Sequence, residues 1–127
     1  MNFEEQIKKI DELVKKGNKA SYKLALDKII NLQKKIKPNS FVQNFTGLII
    51  QRSGRMMDAI KYYERAHSLD PKNISPLNNL AYIYEKLKNW ELSKYYFDKA
   101  KEIDPNNLIY LINISNYYLA LNQHENS

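Results

Sequence analysis

Apolar residues in this chain recur at the three- and four-residue spacing of a helix face, not in strand-like alternation. Leu77, Leu80, Ala81, Tyr84 and Leu87 form one stripe. Lys88-Asn89 interrupts it, with Asn89 placed to cap the next helix, and Trp90, Ser93, Phe97 and Ala100 form a second stripe. Pro105 closes that second helix, because the residue before a proline avoids the α region and proline cannot extend the hydrogen-bond ladder. A more diverged pair opens the chain. Phe3, Ile7, Ile10 and Val14 make its first stripe, Gly17-Asn18 its turn, and Tyr22, Leu26, Ile29, Ile30 and Ile36 its second, which reads as a longer helix running toward Pro38. Leu108 to Leu121 supplies a last helix. The pattern predicts an all-α protein of about seven helices.

The helix pairs recur with a fixed period. Pro38, Pro71 and Pro105 stand 33 and 34 residues apart, and Leu69-Asp70-Pro71-Lys72-Asn73 is nearly repeated as Ile103-Asp104-Pro105-Asn106-Asn107. A step of 34 superposes Gln43, Leu77 and Leu111, then Gly47, Ala81 and Ser115, then Ile50, Tyr84 and Tyr118. It also places Ala59 on Ser93, Tyr63 on Phe97 and Ala66 on Ala100. Small residues fall on small ones and aromatics on aromatics. The physical reason is that helices approach to about 8–10 Å only where the side chains at the crossing are short. Gly47, Ala81 and Ser115 are therefore expected at equivalent contacts between paired helices. Gly54 occupies the turn of the middle pair, where a positive φ is often needed.

These residues resemble the tetratricopeptide repeat, whose 34-residue pattern is W-x2-L-G-x2-Y, then A-x3-F, then P. Residues 40–73 supply Gln43, Thr46-Gly47, Ile50, Ala59, Tyr63, Ala66 and Pro71, and residues 74–107 supply Leu77, Leu80-Ala81, Tyr84, Ser93, Phe97, Ala100 and Pro105. The chain lacks the tryptophan of the pattern and has Ser93 in place of the usual alanine. Residues 1–38 read as a diverged first hairpin and 108–127 as the first helix of an incomplete repeat, together one domain over 1–127. The resemblance implies a right-handed superhelical solenoid of antiparallel helix pairs serving as a protein-interaction module.

The last helix departs from what a solenoid end requires. From Leu108 to Leu121 it carries no charge, whereas a terminal repeat normally turns a polar face outward. Further repeats beyond Ser127, or a second chain, are expected to cover it. Ile109, Ile112 and Leu119 are the candidate self-association residues, and a self-assembling dimer or filament is the alternative function.

Composition narrows the chemistry. The chain has no cysteine, so it has no disulfide, no thiolate nucleophile and no thiolate-bound metal. His67 and His124 stand alone, and the three glycines are too dispersed to form a phosphate loop. Asp70 and Asp104 precede prolines at helix ends, where turn roles suffice. No catalytic residue, metal ligand or cofactor site is expected. The amino terminus has acids where a signal peptide is basic, and the uncharged stretch after Pro105 is too rich in amides for a membrane span, so a cytoplasmic location is expected. The net charge is +6, and the first 38 residues hold ten lysines against five acids. A codon bias toward A and T explains the lysine and asparagine richness better than a selected anion-binding site does. Acids are interleaved with the lysines and the aromatics sit in packing positions, so nucleic acid is a lesser partner than protein or peptide.

The expected binding face is the side of the first helices that the packing stripes leave free. It includes Asn44 and Gln51 in one unit, Asn78, Asn79, Tyr82 and Glu85 in the next, and Asn113 and Asn116 in the last, with Phe41, Phe45 and Leu48 alongside. An amide both donates and accepts, so it can pair with a peptide backbone of any sequence. Pro76-Leu77-Asn78-Asn79-Leu80-Ala81 is similar to the repeats of O-linked N-acetylglucosamine transferase-type proteins. That similarity implies an asparagine ladder at Asn79 and Asn113, interrupted by Phe45. The carboxylate clamp of co-chaperone repeats requires Lys, Arg and Asn at inner positions occupied here by Ile7, Asp11, Phe45, Ser75 and Asn79, of which only Asn79 fits.

Overall fold

The computed structural model describes every residue, Met1–Ser127, and consists of seven helices without strands. They are α1 (Phe3–Lys16), α2 (Lys19–Gln33), α3 (Ser40–Arg52), α4 (Met56–Leu69), α5 (Ile74–Lys86), α6 (Trp90–Ile103) and α7 (Leu108–Glu125). Most are too short to persist alone in water, so packing and capping must hold them.

Asparagine starts six of the seven helices. Asn2, Asn18, Asn39, Asn73, Asn89 and Asn107 each accept, through the side-chain oxygen, a backbone N–H of the first turn at 2.8–3.2 Å. At Asn18 the cap is reciprocal, because the Ser21 hydroxyl accepts from the Asn18 N–H at 3.2 Å. The turns before α5 and α7 share one geometry. Asp70 and Asp104 accept from the N–H two residues on, and their carbonyls accept from Asn73 and Asn107. The Asp-Pro repeat is thus a helix stop followed by a cap.

The chain divides into two compact units, Met1–Leu69 and Asp70–Ser127. In the first, α1, α2 and α3 enclose a core of Ile10, Val14, Ala25, Ile29, Leu32, Val42, Phe45 and Ile49. Thr46 is fully buried, donating to the Val42 carbonyl and accepting from the Gln33 amide, which ties α2 to α3. Gly47 faces the ring of Tyr63 on α4, and a Cβ placed on Gly47 would lie 2.7 Å from Tyr63 Cε1. The ring is fixed at its far end, where its hydroxyl donates to Gln51 Oε1 at 2.6 Å. Burial pushes the Tyr63 phenol well above its ordinary value, keeping it a neutral donor.

In the second unit, Leu77 and Ala81 of α5, Phe97 and Ala100 of α6, and Tyr110 and Tyr117 of α7 form the core. The Ser93 hydroxyl donates to the Ala81 carbonyl at 2.8 Å, so the residue that replaces alanine in the repeat is satisfied where it is buried. Ala81 and Phe97 repeat the short-residue-and-ring pairing of Gly47 and Tyr63. Ser115 does not: it is exposed, with its hydroxyl donating to the Leu111 carbonyl at 2.9 Å, because no helix of this chain faces it.

Three expectations need correction. α2 ends at Gln33, and Lys35 N–H closes a turn on the Leu32 carbonyl, so this helix does not reach Pro38. Its buried stripe is Ser21, Ala25, Ile29 and Leu32, with Tyr22, Leu26 and Ile30 flanking it, because the two short residues let a neighbouring helix approach. Phe45, expected on the free face, is buried in the core and meets the surface only where it borders a groove.

Two substitutions test these contacts. Alanine is the better helix former by roughly 0.5–1 kcal/mol, yet overpacking a fixed ring costs about 1–3 kcal/mol. Gly47→Ala should therefore lower stability by about 1–2 kcal/mol in denaturant melts. In the α5–α6 turn, Lys88 holds φ 59, the position one repeat after Gly54 with φ 95. A left-handed residue with a Cβ costs about 1–2 kcal/mol, partly offset by glycine's looser unfolded state. Lys88→Gly should therefore raise stability by about 0.5–1 kcal/mol in the same measurement.

Candidate functional site

The first unit carries a groove of about 440 Å³ built by two helices of like pattern. α1 contributes Glu4, Ile7, Lys8 and Asp11, and α3 contributes Phe41, Asn44, Phe45 and Leu48, each set at i, i+3, i+4 and i+7. That spacing puts four side chains on one helix face. α2 packs against both helices. Ile7, Phe45 and Leu48 make the apolar floor, continuous with the core beneath. Phe41 stands over it, 51% exposed, with its ring centroid 5.9 Å from that of Phe45. Charge sits at the rim. Asp11 is paired with Lys15 at 3.0 Å, while Glu4 and Lys8 form no ion pair within the chain.

The expected binding residues are distributed unevenly. Asn44 is half-buried and lines this groove. Gln51 does not line it, since its Oε1 is occupied by the Tyr63 hydroxyl between α3 and α4. In the second unit, Asn79 on α5 and Asn113 on α7 are half-buried and Asn116 is exposed. Tyr82 is half-buried with the Lys86 ammonium 5.2 Å from its ring centroid. Ile109, Ile112 and Leu119 are all exposed along α7.

Asn78 is the clear correction. It is 2% exposed, and its amide nitrogen donates to Asn107 Oδ1 at 3.2 Å. The same oxygen accepts the Tyr110 N–H at 2.9 Å, so Asn78 fastens the cap of α7 to α5 and is not a surface contact. Glu85, also expected on the free face, is 6% exposed beside Lys86 at 3.6 Å. Both errors share a cause: α5 is covered by α6 and by α7, so more than one of its stripes is buried. The sequence pattern alone does not single out the groove as a site, although its signal is present in the paired i, i+3, i+4, i+7 sets of α1 and α3.

Three of the ten lysines of the first hairpin line a second hollow, about 480 Å³, between α1 and α2. Lys9, Lys28 and Lys35 ring it with Gln6 and Asn31 over Ile10 and Leu32. No aromatic side chain lines it, so it offers no platform for stacking bases. No helix is long and apolar enough to cross a membrane, and no three His, Asp or Glu side chains gather as metal ligands.

Comparison with known families matches residues 4–126 to the model described as Psidin, N-terminal TPR repeats region. No curated protein matches the chain.

The role of Asn78 is open to a direct test. Removing its amide leaves the cap oxygen of Asn107 without its second donor in a buried place, a loss of about 1–2 kcal/mol. Asn78→Ala should lower the thermal midpoint accordingly, whereas Asn116→Ala on the exposed face should stay within about 0.5 kcal/mol of the parent.

Proposed function

The chain belongs to the family of Psidin N-terminal TPR repeat regions, and on that premise we propose that it works as a protein–protein interaction module holding a peptide segment of its partner on the first-helix face. One observation carries the reading: the groove between α1 and α3 has an apolar floor and a charged rim on which Glu4 and Lys8 form no ion pair within the chain. A floor of Ile7, Phe45 and Leu48 under Phe41 suits one or two apolar anchors of a partner. Glu4, Lys8 and Asn44 at the edge suit the polar groups that flank such anchors.

The amide ladder is the second element of the proposal. Asn79 and Asn113 keep the 34-residue register on α5 and α7, and each would add a backbone-directed hydrogen bond. The magnitudes set the affinity. One seated apolar side chain contributes about 1.5–3 kcal/mol and each amide bond about 0.5–1.5, against the ordering of a flexible peptide. A single short segment would then bind in the micromolar to millimolar range. As a module the chain supplies recognition and no chemistry.

Peptides selected on the intact chain from a random displayed library test this reading by fluorescence polarisation. Phe41 is exposed, so Phe41→Lys should leave the melting curve unchanged while weakening the selected peptides at least about tenfold. Asn79→Ala with Asn113→Ala should weaken by a few-fold those selected peptides that dock on the second unit instead. Selected peptides that bind Phe41→Lys as tightly as the parent would overturn the groove as the site.

A further inference from the structure

α7 turns one face, with Tyr110 and Tyr117, into the core of the second unit. The opposite face is bare. Leu108, Leu111, Ser115, Tyr118 and Asn122 follow the alternating three- and four-residue spacing of a helix seam, with Ile112 and Leu119 beside them. The five large apolar side chains of this stripe are each 43–68% exposed. An exposed stripe in which five large apolar side chains are broken only by Ser115 and ended by Asn122 marks an interaction surface.

We propose that this stripe docks against the same stripe of a second copy of the chain, antiparallel, with the two-fold axis at Ser115. Three features select a second copy over another partner. The substituents are symmetric about Ser115: Leu111 and Ile112 lie four and three residues before it, Tyr118 and Leu119 three and four after it. Reversing the helix therefore lays Leu111 and Ile112 against Leu119 and Tyr118 of the other copy, apolar on apolar, with Leu108 meeting Asn122 at the ends. No charged residue occurs from Leu108 through Gln123, so self-pairing opposes no like charges. Ser115 is the short residue at the crossing, and its hydroxyl is already satisfied by the Leu111 carbonyl.

Area sets the strength. Five large side chains, each about half uncovered, with the backbone and rim around them, offer on the order of 500 Å² per copy. A pair would close over roughly 1,000 Å², about the smallest area of a specific interface, so a weak, concentration-dependent dimer is expected. This contact lies on α7 and is independent of the groove between α1 and α3, so either proposal can fail alone.

The 127-residue chain tests the proposal in sedimentation equilibrium from about 1 to 300 µM, where a monomer–dimer equilibrium is expected. Leu111→Lys with Leu119→Lys should abolish the dimer and leave the melting curve of the monomer unchanged, since both side chains are exposed. The chain has no cysteine, so single introduced thiols report geometry cleanly. Ser115→Cys should oxidise to a covalent dimer much faster than Ile109→Cys, which lies about a third of a turn to one side of the stripe. A monomer at every concentration, a dimer that survives the double lysine variant, or equal oxidation of the two thiols would each overturn it.

Discussion

The fold rests on a short residue meeting an aromatic ring where two paired helices cross. Gly47 under Tyr63 is that contact, and Ala81 and Phe97, one period on, share the core of the second unit. It works by exclusion: the short side chain admits the ring, and the ring then fills the space that a larger partner would have occupied. Around this contact the remaining polar groups are disposed of locally. Ser93 returns its hydroxyl to the Ala81 carbonyl, and Tyr63 hands its own to Gln51. Tight pairing of each first helix with its second turns the opposite side of the first helix outward, and that is the side proposed to meet a partner.

The two outward surfaces differ in kind. Between α1 and α3 the free side is a trough with a greasy base and a charged edge. On α7 it is a flat uncharged stripe, left bare because Ser115 has no ring opposite it. A trough favours an inserted segment, and a flat symmetric stripe favours its own image. The lysine-rich hollow between α1 and α2 fits neither description: its positive rim lacks the aromatic surfaces that would turn charge attraction into base recognition.

Much of this architecture is legible in the sequence because one period governs both packing and turns. The 34-residue register locates the crossings at Gly47 and Ala81, the turns at Gly54 and Lys88, and the stops at Pro71 and Pro105. The first hairpin is less legible. Its crossing uses Ser21 and Ala25, which fall outside the repeat pattern, so the bulkier Tyr22, Leu26 and Ile30 look like the buried stripe. Surface assignments fail where a helix has neighbours on two sides. Asn78 and Glu85 are polar, but α5 is enclosed by α6 and α7, and a one-stripe reading cannot register that. Phe45 reads as outward for the same reason in reverse: it borders both the core and the groove.

The asparagine caps have a consequence for how the protein meets its surroundings. A carboxylate at the start of a helix loses its hold on the first-turn amides once it picks up a proton, whereas a carboxamide has nothing to pick up. Six helix starts here are held by carboxamides. The six cap oxygens themselves are therefore indifferent to acidification.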